Sequence, residues 1–283
     1  MRRRRLTWPL ALASTLVWGA MAAVPPNPKI VNAGPHDSED GPPLAKGSTF
    51  QPGETVFFSF QVLGYGESPT KQVRLTYRIE AVDPNGVKLV EPIESVFDAT
   101  LRDEDKQFMP KLRATISIPT AAPSGKYKIS TLVTDDISHL TASAETTFEV
   151  MGHDVPPSPE LEIRNLTFHR TEDDTRALPV AAYRPGDTLF ARFDIAGFRY
   201  AAQNTIYVYY DVAVLNPAGK QIYGQEHAAE DRSFSYYPKP YVPGQMSLTL
   251  QPNMKPGQYT VVLTAHDENG HQRVELRHVF AVE

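Results

Sequence analysis

An imidazole followed closely by two carboxylates occurs twice in this chain, and these are side chains that can hold a divalent metal ion. Neutral imidazole nitrogens and carboxylate oxygens on one flexible loop can share such an ion. The same residues would also be found in an ordinary solvent-exposed loop between two strands, and a duplication would copy such a loop. We expect the solvated loop and keep metal binding as the alternative. The six residues are His36, Glu39 and Asp40, then His169, Glu172 and Asp173.

A second acidic segment, His266 to His271, is similar to the start of a calcium loop. Its alternating Asp267 and Asn269 are oxygen ligands of the kind that Ca²⁺ prefers. The later ligands of such a loop are absent from the sequence. Asn269-Gly270 is also a strong signal for a hairpin turn. The sequence therefore predicts a turn here, and we predict no cofactor.

The common catalytic motifs do not occur in the sequence. It contains no Gly-x-Ser-x-Gly, no His-Glu-x-x-His, no phosphate-binding glycine loop and no cysteine. We therefore predict that the chain is not an enzyme. A hydrolase built on the His36 and His169 loops is the remaining catalytic alternative, although neither loop supplies a nucleophile with its base.

The candidate residues lie in an internal repeat, because residues 30–150 are repeated at low identity by residues 163–282. Pro52-Gly53-Glu54-Thr55, for example, corresponds to Pro185-Gly186-Asp187-Thr188. In both halves, short runs of alternating apolar and polar residues are separated by Pro and Gly turns. This pattern predicts an all-β chain with two tandem immunoglobulin-like antiparallel β-sandwiches.

Alternation predicts which side chains of the equivalent strands face the core. A turn with Pro and then Gly follows each strand, at Asp83–Gly86 and at Asn216–Gly219. Tyr127 and Tyr259 each follow a Pro/Gly turn and are predicted to form tyrosine corners, in which the hydroxyl bonds back to the turn. The predicted inward residues are Leu75, Tyr77, Ile79 and Ala81 in the first repeat and Val208, Tyr210, Val212 and Val214 in the second.

The second repeat has tyrosines where the first has mostly charged or polar residues. Outward-facing Arg74 and Thr76, for example, correspond to Tyr207 and Tyr209. Several tyrosines on one face would form a surface suited to a partner, since this side chain gives large contact area at low entropy cost. The alternative is that they pack against the first repeat or the Tyr237–Tyr241 loop. The candidate binding residues are Tyr200, Tyr207, Tyr209, Tyr223, Tyr236 and Tyr237.

The amino-terminal segment has the three parts of a secretory signal: basic Arg2 to Arg5, apolar Leu6 to Gly19, and small residues for cleavage near Ala22 and Ala23. We expect a cleaved signal and a periplasmic or secreted protein with no membrane span, and a retained anchor is the alternative. The chain has 28 basic and 33 acidic side chains. This acidic balance, which increases when the signal is removed, argues against nucleic acid as a partner.

The predicted domain organisation follows from the signal, the repeats and two proline-rich segments. Three prolines in the linker favour an extended, semi-rigid polyproline spacer. The predicted segments are a signal peptide at 1–23, a Pro-rich lead at 24–28, the first sandwich at 29–151, a linker at 152–160 and the second sandwich at 161–283.

The turn motifs together resemble those of bacterial extracytoplasmic immunoglobulin-like domains, and most of all the macroglobulin-type sandwiches of large envelope proteins. They are the Pro-Gly-Asp/Glu-Thr strand start, the Asp/Asn-Pro-x-Gly turn and the Pro-Gly-x-Tyr strand start. The resemblance covers both repeats and implies a non-catalytic spacer or binding module. The thioester cysteine of a true macroglobulin is absent, so the resemblance implies no inhibitor mechanism.

The sequence therefore predicts an exported, non-catalytic module that binds a protein partner or acts as a spacer in the cell envelope. The alternative is a carbohydrate-binding module in which surface tyrosines stack on the sugar rings of a polysaccharide. Both tryptophans lie in the signal, at Trp8 and Trp18, and this disfavours the second interpretation.

Overall fold

A computed structural model describes residues 26–45, 47–105 and 107–283 of the chain. The protein is all-β, as predicted, with 55% of its residues in strands and 1% in helix. The predicted signal peptide lies outside the described residues. Among those that are described, no helix is both long and apolar enough to cross a membrane.

Eight strands form the first repeat and eight equivalent strands form the second. The first eight are β1 (Lys29–His36), β2 (Thr49–Phe50), β3 (Thr55–Leu63), β4 (Gln72–Val82), β5 (Ile93–Thr100), β6 (Lys111–Ser117), β7 (Gly125–Asp135) and β8 (Thr141–Val150). The second eight are β9 (Glu162–His169), β10 (Ala182–Tyr183), β11 (Thr188–Ala196), β12 (Ile206–Leu215), β13 (Gln221–Ser233), β14 (Tyr241–Thr249), β15 (Gly257–Asp267) and β16 (Gln272–Val282). A 3₁₀ turn at Ala202–Asn204 precedes β12.

Each repeat is a sandwich of a three-stranded and a five-stranded sheet. The strand orders are β1-β3-β6 and β2-β8-β7-β4-β5 in the first, and β9-β11-β14 and β10-β16-β15-β12-β13 in the second. Pairing is antiparallel except that β2 runs parallel to β8, and β10 to β16. The same order in both copies confirms the repeat and the immunoglobulin-like sandwich fold. The predicted linker lies between β8 and β9, and the domain boundaries themselves stay a prediction.

The predicted turn chemistry is present in both repeats. Asp83 Oδ1 accepts the backbone N–H groups of Asn85 and Val87, each at 2.8 Å. Asn216 Oδ1 does the same for Ala218 at 3.0 Å and Lys220 at 2.9 Å. These bonds hold the four-residue turn closed, which fixes the direction of the chain after β4 and after β12.

Both predicted tyrosine corners are confirmed. The Tyr127 hydroxyl donates to Pro123 O at 2.8 Å, and the Tyr259 hydroxyl donates to Lys255 O at 2.9 Å. The predicted inward residues also lie in the two cores, with one difference: Tyr77 is half-buried and packs at the edge of the first core. The alternation of the sequence therefore gives the correct face for β4 and β12.

Because tyrosine side chains are buried in the cores, we expect the free energy of unfolding to fall at alkaline pH. Burial raises the pKa of Tyr183 to about 12, with Arg170 opposing and Asp187 adding to the shift. Because the unfolded tyrosine titrates near pH 10, this group stabilises the fold fully below pH 10 and loses its contribution between about pH 10 and 12. The expected loss from Tyr183 is about 2–3 kcal/mol.

Urea unfolding at a series of pH values, together with tyrosinate absorbance, measures this effect. The Tyr183→Phe variant should lose less stability over the same pH range than the wild-type protein does. Equal slopes for the two proteins above pH 10 would contradict the assignment.

Candidate functional site

Tyr207 and Tyr209 lie side by side on the outer face of the second five-stranded sheet. Both side chains are half-buried, while Val208 between them is in the core. Their ring centroids are 6.0 Å apart with an interplanar angle of 45°. The outward direction expected from the alternation is therefore correct for this pair.

Tyr209 is the middle ring of a three-ring stack that crosses three adjacent strands. His227 of β13 stacks on it at 4.3 Å with an interplanar angle of 11°, and His266 of β15 stacks on it at 4.4 Å and 4°. Neighbouring strands lie about 4.8 Å apart, so side chains that project from them in parallel are already near stacking distance. We call His227, Tyr209 and His266 the aromatic ladder.

Each imidazole of the aromatic ladder is held by a carboxylate. His227 Nε2 lies 2.7 Å from Glu230 Oε2, and His266 Nε2 lies 2.8 Å from Asp211 Oδ2. Asp211 Oδ1 also accepts the backbone N–H of His227 at 2.8 Å. These contacts fix the orientation of both imidazoles and hence the parallel stack.

The charges around the aromatic ladder are set by its contacts. Burial raises the pKa of Asp211, but hydrogen bonds from His227 N–H and His266, together with nearby positive charge, outweigh it and lower the pKa overall. Burial and the neighbouring Glu268 raise the pKa of Tyr209. At neutral pH Tyr209 is therefore a neutral phenol, and the neighbouring Asp211 is an ionised carboxylate. Arg232 lies over the Tyr207 ring, 5.1 Å from its centroid, in a cation–π arrangement.

The equivalent face of the first repeat carries ion pairs instead of rings. Arg74 lies 3.1 Å from Asp98 and 3.5 Å from Asp136, and the Thr76 hydroxyl donates to Asp136 at 2.9 Å. Arg74 and Thr76 are the counterparts of Tyr207 and Tyr209. One copy of the fold thus presents solvated charges on this sheet and the other presents aromatic rings.

The remaining four tyrosines lie elsewhere, so the six candidates do not form one surface. Tyr237 is buried between the repeats, where its hydroxyl donates to Asp83 Oδ2 at 2.9 Å. The Tyr200 hydroxyl donates to Lys239 O of the proline-rich loop. Tyr223 packs against the second core, and Tyr236 is exposed.

Sequence reasoning missed His227 and Arg232, and it considered His266 only as part of the acidic segment 266–271. Alternation along β15 would have placed His266 on the outer face, next to Tyr209. No comparable signal exists for His227, because it has a positive φ of 50° at an irregularity in the pairing of β12 with β13.

In the first candidate metal loop, at residues 36–40, the histidine is buried and both of its ring nitrogens are hydrogen-bonded. His36 Nδ1 lies 2.9 Å from Gly41 O, and Nε2 lies 2.7 Å from Ser59 Oγ. Glu39 and Asp40 are exposed, and Asp40 pairs with Arg113 at 2.5 Å. Neither ring nitrogen of His36 is left for a metal ion in this arrangement.

The second candidate metal loop has the same burial pattern as the first. His169 is buried while Glu172 and Asp173 are exposed. Among the described residues, no group of three or more His, Asp or Glu side chains is placed so that it could hold a metal ion. Metal binding by these loops stays the alternative to a solvated loop.

The predicted turn at Asp267–Gly270 is confirmed. Asp267 is buried and accepts hydrogen bonds from Arg199 N at 2.9 Å, Asn269 N at 3.1 Å and Gln272 Nε2 at 3.1 Å. Its oxygens bind the surrounding protein, so they close a turn rather than face outward as ligands.

The fold places the chain among immunoglobulin-like β-sandwich proteins. No family model and no curated protein sequence matches it. Among solved structures it is similar to the C-terminal domain of the Streptococcus agalactiae AgI/II polypeptide BspA, at 12% identity over 90% of this chain and 100% of that one, with a TM-score of 0.29. It is also similar to the C-terminal domain of the Streptococcus pyogenes antigen I/II-family protein AspA, at 10% identity over 91% and 99%, with a TM-score of 0.30. At TM-scores this low the likeness does not bear on the fold, which the strand order of this chain establishes by itself.

Proposed function

We propose that this chain is an exported, non-catalytic module that binds a protein partner in the cell envelope through the face around Tyr207 and the aromatic ladder. The observation that carries the proposal is the replacement of an ion-paired surface in the first repeat by stacked rings in the second. Tyr, His and Arg side chains held in place before binding lose little entropy when a partner docks.

The stacking geometry favours a protein partner over a sugar at this face. A sugar ring stacks on the open face of an aromatic side chain, but both faces of Tyr209 are covered by imidazoles. Arg232 covers one face of Tyr207. What remains available are ring edges, a hydroxyl and charged groups, which suit hydrogen bonds and edge contacts with a polypeptide.

The same proposal includes export of the protein and its resemblance to macroglobulin-type sandwiches. Export rests on the basic and apolar segments of the predicted signal at residues 1–23. The turn motifs shared by both repeats support a bacterial envelope protein with macroglobulin-type sandwiches. The contact between the repeats, in which Tyr237 donates to Asp83, suits a module that presents a binding face at one end of a two-domain chain.

The Tyr207→Ser/Tyr209→Ser double variant is expected to lose the partner while keeping its fold. Removing both rings dismantles the aromatic ladder and the Arg232 contact, and loss of a central aromatic pair weakens an interface by about 2 kcal/mol or more, at least tenfold in affinity. Co-purification of tagged protein from native envelopes, with mass spectrometry of what is bound, measures this.

The matched control is Arg74→Ser/Thr76→Ser, which changes the equivalent positions of the first repeat. It should retain the same partners as the wild-type protein. Retention of every partner by the tyrosine double variant, with unchanged far-UV circular dichroism, would refute the proposed face.

A further inference from the structure

A cavity of about 970 Å³ lies along edge strand β14 of the second sandwich. Residues of strands β9, β11, β12, β13 and β14 line it, together with His153 of the linker. Its principal polar side chains are His153, Asn165, His169, Arg192, Asp194 and Gln245.

The centre of the cavity floor is a buried carboxylate. Asp194 is 5% exposed, on the outer side of β11 under the linker. Its Oδ2 accepts a hydrogen bond from Asn165 Nδ2 at 2.8 Å and lies 2.7 Å from His153 Nε2. A carboxylate has room for further donors on its other oxygen. Asp194 is thus a fixed acceptor in the wall of a cavity.

His169 beside it has an unpartnered nitrogen. The residue is 4% exposed, and its Nε2 lies 3.1 Å from Thr167 Oγ1. Among the described residues its buried Nδ1 has no hydrogen-bond partner. Native proteins rarely leave a buried polar atom unsatisfied, because doing so costs about 1–3 kcal/mol. His169 therefore brings an unused polar atom to the cavity lining.

The counterpart residues of the first repeat are hydrogen-bonded to one another and include no Arg–Asp combination. There His36, the counterpart of His169, has both nitrogens bonded, one of them to Ser59. Ser59 and Gln61 of the first repeat correspond to Arg192 and Asp194 of the second. The Asn32–Gln61 hydrogen bond of 2.6 Å corresponds to the Asn165–Asp194 bond. The second copy has therefore kept the framework and introduced a charged pair.

Arg192 stabilises the rim of this cavity. Its guanidinium donates to the backbone carbonyls of Asp174 at 3.0 Å and of Glu172, which anchors the loop that follows β9. Five N–H donors are available on a guanidinium, so it can bind these carbonyls and still donate to a ligand.

We propose that this cavity binds a neutral saccharide of one or two rings. Arg192 and Asp194 carry opposite charges that offset each other in the cavity lining. The rim carboxylates are already bound, Asp231 by Lys239 and Glu230 by His227, so the lining favours a ligand without net charge. Mixed donors and acceptors fit hydroxyl groups, each of which donates and accepts. The volume lies within the usual range for small-ligand sites, and Tyr241 adds an apolar surface. This cavity shares Glu230 with the surroundings of the aromatic ladder, but it does not use Tyr207 or Tyr209, so the proposal does not depend on the protein-binding face.

The test is a glycan array followed by titration calorimetry with the neutral mono- or disaccharide that binds most tightly. Wild-type protein should bind neutral glycans, and Asp194→Asn should weaken that binding by about tenfold or more, because a hydrogen bond to a charged group is lost. The matched control Gln61→Asn in the first repeat should bind as the wild type does. Absence of neutral glycan binding, or binding of sialylated glycans only, would overturn the proposal.

A second measurement needs no variant and so does not depend on the folding of Asp194→Asn. Long-range ¹H–¹⁵N spectra of the wild-type protein report the ring nitrogens of each histidine. Titration with the same saccharide should shift the His169 and His153 signals and leave His36 unchanged. Shifts confined to His227 and His266 would place the sugar on the aromatic ladder and reject this cavity.

The protein-binding face and the saccharide cavity can be tested independently, because each has a variant that should leave the other unaffected. Tyr207→Ser/Tyr209→Ser should bind the saccharide with unchanged affinity, and Asp194→Asn should keep the protein partner. A saccharide affinity that falls with the tyrosine variant would contradict the cavity, even if the protein partner is lost as expected.

Discussion

The Tyr237→Ala variant is expected to uncouple the two sandwiches and to lower the free energy of unfolding by about 3–5 kcal/mol, the usual range for removing a buried aromatic ring. Tyr237 belongs to the loop between β13 and β14 of the second repeat, but it packs in the core of the first repeat and is 7% exposed. Its hydroxyl is bonded to Asp83, which is itself buried. Truncation therefore leaves both a cavity and a carboxylate oxygen without that donor.

The linker reinforces this junction from both sides. Ser124 of the first repeat donates its backbone N–H to Asp154 at 2.8 Å. Arg164 of the second repeat donates to Pro156 O at 2.6 Å. Since the linker is bonded to both sandwiches, the loss of Tyr237 weakens one of several contacts. The expected outcome is two folded sandwiches with freer mutual orientation.

Urea unfolding, small-angle scattering and limited proteolysis together measure the uncoupling. The variant should show a lower midpoint, a broader distribution of distances and faster cleavage at residues 152–160. Tyr236→Ala is the matched control, because its side chain is 47% exposed. It should change stability by no more than about 0.5 kcal/mol. Equal behaviour of the two variants would contradict a coupling role for Tyr237.

A conservative variant separates the hydroxyl from the ring. Tyr237→Phe keeps the packing and removes only the donor to Asp83, so about 1–3 kcal/mol should be lost. In the Asp83→Asn background the same change should cost less, because the charged partner is already gone. Additive effects would show that the two side chains do not interact.

The parts of the fold that depend on local rules were predictable from the sequence. Alternation assigned the inward faces of β4 and β12, and the Pro-x-Gly turns after them formed as expected, because both depend on neighbouring residues alone. The offset between the repeats then extended each assignment to the other copy. The burial of Tyr127 and Tyr259 also follows from their position after a turn.

Contacts between distant segments were not predictable in this way. Tyr237, the counterpart of exposed Glu104, is a candidate binding residue on the sequence alone, with packing against the first repeat as the alternative. The structure shows that packing, but the sequence does not identify the partner, Asp83, which is 154 residues away in the chain. Nothing in the alternation of one repeat encodes a contact with the other. Only part of the aromatic ladder was predictable from the sequence. The outward direction of Tyr209 follows from the alternation, whereas the position of His227 depends on a backbone irregularity in β13.

Replacement of a buried aspartate by alanine is expected to destabilise each sandwich by about 2–4 kcal/mol, since it leaves buried N–H groups unsatisfied. In the second repeat this residue is Asp267, which ties the loop before β12 to the β15–β16 hairpin through Arg199 N. In the first it is Asp135, which accepts from Gly66 N and Ser138 Oγ, both at 2.6 Å.

The equivalent roles of Asp135 and Asp267 give the experiment an internal control. Asp135→Ala and Asp267→Ala should lose similar stability in urea unfolding followed by circular dichroism, whereas exposed Glu268→Ala should lose no more than about 0.5 kcal/mol. Millimolar calcium should leave the Tm of the wild-type protein unchanged, because the Asp267 oxygens already accept hydrogen bonds from the protein. A calcium-dependent rise in Tm that Asp267→Ala abolishes would show that this turn is a metal loop after all.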